Sequence, residues 1–172
     1  MTQYFVYGRD RHGASELKGR LAEEHWAFMD RYDAELIARG PTLTEDREAS
    51  TGSLHIIDLP DAEALNTFVY DEPYYLAGAF TAVEVYQFVN HTGRTMWEFA
   101  HAVDSYNRYL VLTKDAARPL TSDHLIVYGD LLDEDRHIGR AALVEAPDRA
   151  AAAALVGAAD AEVHPWEFGG RR

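Results

Sequence analysis

An α+β fold of the ferredoxin-like type, with helices on one face of an antiparallel sheet, is what this sequence predicts, and three observations carry it. Strand-like and helix-like segments alternate as β-α-β-β-α-β over residues 2–89. Most of that order of segments returns in the second half. At 172 residues, 47% hydrophobic and 26% charged, the chain can enclose one ample core or two small ones.

Residues 2–9 read as a strand bounded by Asp10 and Gly13. A helix follows over residues 15–32, with Ser15 as its N-cap. Leu17, Leu21, Phe28, Tyr32 and Leu36 recur at helical spacings and form its apolar stripe. His25 interrupts that stripe, four residues after Leu21 and three before Phe28. A polar ring held against a core needs a partner. The segment ELIARGPTL (35–43) is a strand closed by the breaker pair Gly40-Pro41. A charged hairpin, TEDREAS, leads to the strand TGSLHIIDL (51–59). Asp61 caps a short helix, AEALNTFVY, which Pro73 ends, and AFTAVEVYQFV (79–89) is the last strand of this half.

The second half repeats the first. QYFVYGRD (3–10) matches RYLVLTKD (108–115), and AELIARGPTLTEDR (34–47) matches DHLIVYGDLLDEDR (123–136). TGSLHIIDLPDAEAL (51–65) matches IGRAALVEAPDRAAA (138–152), and VEVYQF (83–88) answers VHPWEF (163–168). The offset between copies falls from 105 to 89 to 87 to 80. The first fall removes nearly all of the helix that carries His25, and the last removes seven residues in the region of DEPYYLAG. Three parts result: a complete unit at 1–89, a joining segment at 90–106 and a shortened unit at 107–172 that keeps its strands and one helix, DRAAAAALVGA. In the joining segment Met96, Phe99, Ala100 and Val103 predict a short amphipathic helix.

Composition excludes several classes. The chain has no cysteine, so disulfides, thiolate metal sites and a cysteine nucleophile are ruled out. A net charge of −13 argues against a nucleic-acid partner. No apolar run is long enough to span a bilayer, and the N-terminus lacks the layout of a signal peptide, so no membrane association and a cytoplasmic location are expected. Fourteen arginines against two lysines suggest a GC-rich bacterial host. His12, His55, His91, His101, His124, His137 and His164 are scattered without a metal-binding spacing, and no phosphate-binding glycine loop occurs. No metal and no cofactor is therefore expected. The final GGRR reads as a frayed tail.

The ordered set RLAEEHWAFM, GPTLTED, TGSLHIID and DEPYYLAGAFTAVEVYQF resembles the YCII-related (YciI-like) domain family. The family's marks fall here on Arg20, His25, Gly40, Pro41, Gly52, Asp71, Pro73, Tyr74, Ala77 and Gly78. Glu72, inserted between Asp71 and Pro73, departs from the commoner Asp-Pro-Tyr. The resemblance implies a ferredoxin-like fold of the dimeric α/β-barrel type, whose sheets pack face to face. A tandem chain would then be an intramolecular pseudo-dimer, either a monomer or itself a homodimer, with one equipped site and one blank. It also implies a site built on the helix histidine and the aspartate before the Pro-Tyr. A few members are lyases that remove a small leaving group, such as chloride, from ring compounds.

His25 and Asp71 make chemical sense as a dyad. An imidazole titrates near neutral pH, and a carboxylate on one ring nitrogen fixes the tautomer and makes the other more basic. Arg20 would hold a substrate carboxylate or enolate, with Tyr74, Trp26 and Tyr32 as walls and donors. The expected function is a small cofactor-free lyase, dehydratase or isomerase acting on a small organic acid or ring ketone. The alternative is a non-catalytic small-molecule-binding or assembly protein in which His25 is a satisfied core residue.

Overall fold

The computed structural model describes residues 1–100, 102–114, 120–158 and 160–170. His101, Asp115 of the repeat, and Arg171 and Arg172 of the tail lie outside them. The first half runs β1 (Thr2–Asp10), α1 (Ala14–Arg20), α2 (Ala22–Asp30), β2 (Leu36–Leu43), β3 (Ser50–Leu59), α3 (Ala62–Tyr70), α4 (Pro73–Leu76) and β4 (Phe80–Asn90). The second runs β5 (Asn107–Thr113), β6 (Leu125–Asp133), β7 (Arg136–Ala146), α5 (Arg149–Val156) and β8 (Glu162–Pro165).

All eight strands form one antiparallel sheet in the order β2-β3-β1-β4-β6-β7-β5-β8. The two quartets have the same internal order, and β4 and β6 join them over Gln87–Asn90. The free edges of the sheet also meet. Thr42 of β2 bridges Trp166, Glu167 N–H donates to Pro41 O (3.3 Å) and Gly169 N–H donates to Arg39 O (2.9 Å). These bonds turn the sheet into a barrel.

Alternation along each strand sorts side chains between the barrel interior and the helix face. Phe5, Tyr7, Leu54, Ile56 and Phe88 point inward and meet Leu110, Ile126, Leu131, Leu143 and Trp166 of the second half in one core. Val6, Leu36, Ile57 and Leu59 face outward onto Phe28, Met29, Phe68 and Val69 of the helices. In the second half Val111, Leu125 and Val144 pack on Ala152, Ala153 and Val156 of α5.

Several sequence expectations are corrected. The first helix is not continuous: Leu21 (φ −100°, ψ 7°) bends it, although His25 N–H still bonds Leu21 O at 2.9 Å. Its N-cap is Gly13, in the left-handed region (φ 78°), and Ser15 lies inside it, its hydroxyl donating to Ser50 O. Gly40-Pro41 does not end β2, because an edge strand tolerates proline's missing N–H. Pro73 stands at the first position of α4 rather than merely ending α3. Among the described residues the joining segment holds one 3-10 turn, Met96–Glu98, closed by a Thr95–Glu98 capping box, while Ala100 and Val103 are exposed. Met96 nevertheless lies fully inside the central core. Gly169 and Gly170 are not frayed but lie over β2.

Asp61 caps α3 as the sequence predicts, accepting from Ala64 N–H at 2.8 Å, and Asp148 caps α5 in the same way. No helix among the described residues is long and apolar enough to cross a membrane.

Candidate active site

The bent α1–α2 helix lies over the outer face of β2 and β3 and leaves a cavity of about 430 Å³ between them. His25, Trp26 and Lys18 reach it from the helix, Arg39, Ser53 and His55 from the sheet, and Tyr74 from α4. Phe168, Gly169 and Gly170 form the wall contributed by the second half.

His25 is buried, and its Nδ1 lies 2.6 Å from Glu72 Oε1. The partner is therefore Glu72 and not Asp71. Backbone geometry decides this. Asp71 is the C-cap of α3 and is exposed. Glu72 is extended (φ −70°, ψ 132°) and N-caps α4, its Oε1 and Oε2 each accepting at 3.0 Å from the N–H groups of Tyr74 and Tyr75. The same Oε1 thus takes a backbone N–H and the imidazole, which holds the carboxylate rigidly. A carboxylate in this position takes an imidazole N–H on Nδ1, which leaves Nε2 outside that bond.

The Tyr74 ring stacks on His25 with centroids 4.1 Å apart and an 8° interplanar angle. Its hydroxyl donates to Lys18 O at 3.2 Å, and burial pushes its pKa up to about 12. Tyr74 is accordingly a neutral wall. His55 lies 5.7 Å from His25 and stands edge-on to Phe68. Burial, and then repulsion by the cationic form of His25 and by Arg39 and Lys18, hold its pKa well below the ordinary histidine value, so it stays neutral.

Lys18 is buried, its ammonium bound to both oxygens of Asp10 (3.0 and 3.1 Å) and to the hydroxyls of Ser50 (2.6 Å) and Ser53 (3.0 Å). Burial lowers its pKa against the pull of Asp10. Arg39 is 3% exposed, with Asp30 at 3.5 Å and Asp33 at 3.8 Å. Its neighbours in the tail sit close: a Cβ on Gly40 would stand 1.9 Å from Glu167 O.

Three of the remaining sequence candidates fall into place differently. Trp26 lines the cavity. Arg20 is exposed, faces Glu16 at 3.9 Å and is no part of it. Tyr32 packs edge-on against Phe68 in the helix layer. Among the described residues no cluster of three metal-ligating side chains occurs.

The model of the YCII-related domain matches residues 2–89. The chain belongs to the YCII-related domain family. The matched segment holds β1 to β4 with every residue of the cavity except the Phe168–Gly170 wall. One similar solved structure is the 5-chloro-2-hydroxyhydroquinone dehydrochlorinase of Burkholderia phenoliruptrix, in complex with 2,5-dihydroxybenzoquinone. It is 28% identical over 48% of this chain and 89% of its own, with a TM-score of 0.45. A candidate monooxygenase of Lactobacillus acidophilus matches 97% of this chain and 94% of its own at 9% identity and a TM-score of 0.54, a likeness of fold alone. Among curated proteins none matches.

Glu72, Lys18, Arg39, His55 and Phe168 escaped the sequence reading. Two left a signal. A residue just before a helix-starting proline is an N-cap, which marks Glu72, and the alternation in SLHIID puts Ser53 and His55 on one face.

Proposed function

We propose that the protein is a small acid–base enzyme of the lyase, dehydratase or isomerase type, needing no cofactor and acting on a small organic acid or ring ketone. The buried His25–Glu72 pair at the wall of an open cavity carries this reading. His25 Nε2 takes or returns a proton at carbon or oxygen, and Glu72 orients the ring and stabilises its charged form. Arg39 and the Lys18–Asp10 pair set the potential of the floor, and Arg39 steadies negative charge developing on a carbonyl or carboxylate oxygen. Tyr74 and Trp26 enclose a flat ring.

We read the two halves as an intramolecular pseudo-dimer in which only the first carries this chemistry. Their matching strand order and the repeat support this. By that repeat, Arg39, Ser53 and His55 correspond to Tyr128, Arg140 and Ala142. The Arg140 guanidinium is buried there and donates to Tyr128 O–H at 2.9 Å, so side chains fill the place of a cavity. The second half serves the first by lending Phe168–Gly170.

The test is His25→Ala against a panel of ring ketones, hydroxy acids and halogenated phenols. Retained ligand binding with turnover reduced by about three orders of magnitude supports the enzyme. Loss of affinity with no turnover in the parent protein marks a binding module, and no effect on either marks a scaffold.

A further inference from the structure

A second cavity, of about 400 Å³, lies on the opposite face of the sheet, inside the barrel. Its walls come from both halves: Phe5 and Tyr86, then Leu112, Leu131 and Ile138. These side chains edge the central core and leave apolar surface facing an empty space large enough for a small molecule. Phe5 and Tyr86 lie nearly parallel, with centroids 6.4 Å apart and a 23° interplanar angle.

Charge is concentrated at one end. Arg9 Nε bonds Glu84 Oε2 at 2.5 Å, and its terminal nitrogens bond the two oxygens of Glu162 at 2.6 and 3.2 Å. His164 adds a contact to Glu162 Oε1 at 3.0 Å. The Arg9 hydrogen bonds hold the Glu162 carboxyl below its ordinary range, so it is ionised. Lys114 and Asp160, also at the cavity, offset one another. One guanidinium against two carboxylates leaves a negative end, and the other Glu84 oxygen has no hydrogen bond among the described residues. Both carboxylates stay partly open to water, with side chains 30% and 44% exposed.

We propose that this interior cavity is a second small-molecule site, taking an aromatic ring that carries a protonated amine. The ring lies along Phe5, Tyr86 and Ile138, and the ammonium meets Glu84 at the acidic end. The chain's net charge of −13 reinforces the preference for a cation. A carboxylate on the same ring would be repelled.

Tyramine and 3-(4-hydroxyphenyl)propionate, equal in ring and opposite in charge, are the probes, titrated calorimetrically into the full chain. The expected result is saturable one-to-one binding of tyramine, about tenfold or more tighter than the propionate and weakened by salt. Glu84→Gln should cost tyramine about tenfold, and Ile138→Trp should abolish binding by filling the cavity, with Leu112→Phe in its place where the tryptophan disturbs folding. His25→Ala should leave tyramine binding unchanged. Absence of saturable binding, equal affinity for both probes, or undiminished binding in the filled variants overturns the site. Loss of tyramine binding in His25→Ala also overturns it, by placing the amine in the other cavity.

Discussion

Glu72 joins two tasks: it caps α4 and it holds the His25 ring. Replacing it with alanine removes a cap worth about 1 kcal/mol and strands a buried imidazole N–H at a cost of about 1–3 kcal/mol. Urea unfolding should therefore show Glu72→Ala less stable by about 2–4 kcal/mol, while Asp71→Ala, at an exposed helix end, should stay within about 0.5 kcal/mol of the parent. An equal loss in both variants would refute the assignment. His55 makes a prediction of opposite character. Its folded pKa lies below the unfolded value near 6.5, so the unfolded chain binds more protons in the window between them. Its contribution to stability is complete above pH 6.5 and is lost as pH falls toward the folded pKa. Unfolding free energies measured at pH 7.5 and 5.5 should differ less in His55→Leu than in the parent protein.

At the scale of elements, much of the first half was legible. Residues 2–89 separate cleanly by periodicity into strands and helices because each face is either core or solvent, and Asp61 marks a helix start by its own hydrogen bond. What escaped were places where a neighbour outside the local window decides. Gly40-Pro41 reads as a stop by local propensity, yet residues 166–169 run along that edge and keep β2 extended. Met96 lies in a single 3-10 turn, and one buried side chain secures it instead of an apolar stripe. The site divided the same way: His25 stands out because it breaks a pattern, whereas Lys18 and Arg39 read as surface charges until the fold buries them. The tail over β2 gives the element-scale test. Gly40→Ala places a methyl group where the Glu167 carbonyl stands, so residues 167–170 must shift away from Arg39. Ligand affinity at the His25 cavity should fall at least tenfold in Gly40→Ala, with His25 and Glu72 untouched. A parent-like affinity would mean that the Phe168–Gly170 wall takes no part in binding.

For the whole molecule, the central core has no owner. Phe5, Tyr7, Leu54, Ile56 and Phe88 from the first half pack against Leu110, Ile126, Leu131, Leu143 and Trp166 from the second. In the intact chain β6 pairs with β4 over Gln87–Asn90, and residues 166–169 bond β2 at Arg39, Pro41 and Thr42. That closure favours a monomer, because the surfaces a second copy would cover are already covered from within the chain. A chain cut after Asn90 loses both covers at once. It keeps its helix layer but presents a bare apolar sheet face flanked by two unpaired edges, which water does not tolerate. A second copy of the same fragment offers the complementary surface, related by a two-fold axis, with β4 of each meeting β2 of the other. Sedimentation equilibrium should therefore find the intact chain monomeric and the 1–90 fragment dimeric, with a melting temperature that rises with fragment concentration. A folded monomeric fragment with a concentration-independent melt would show that the first half closes its own core, and the dependence of one half on the other would have to be abandoned.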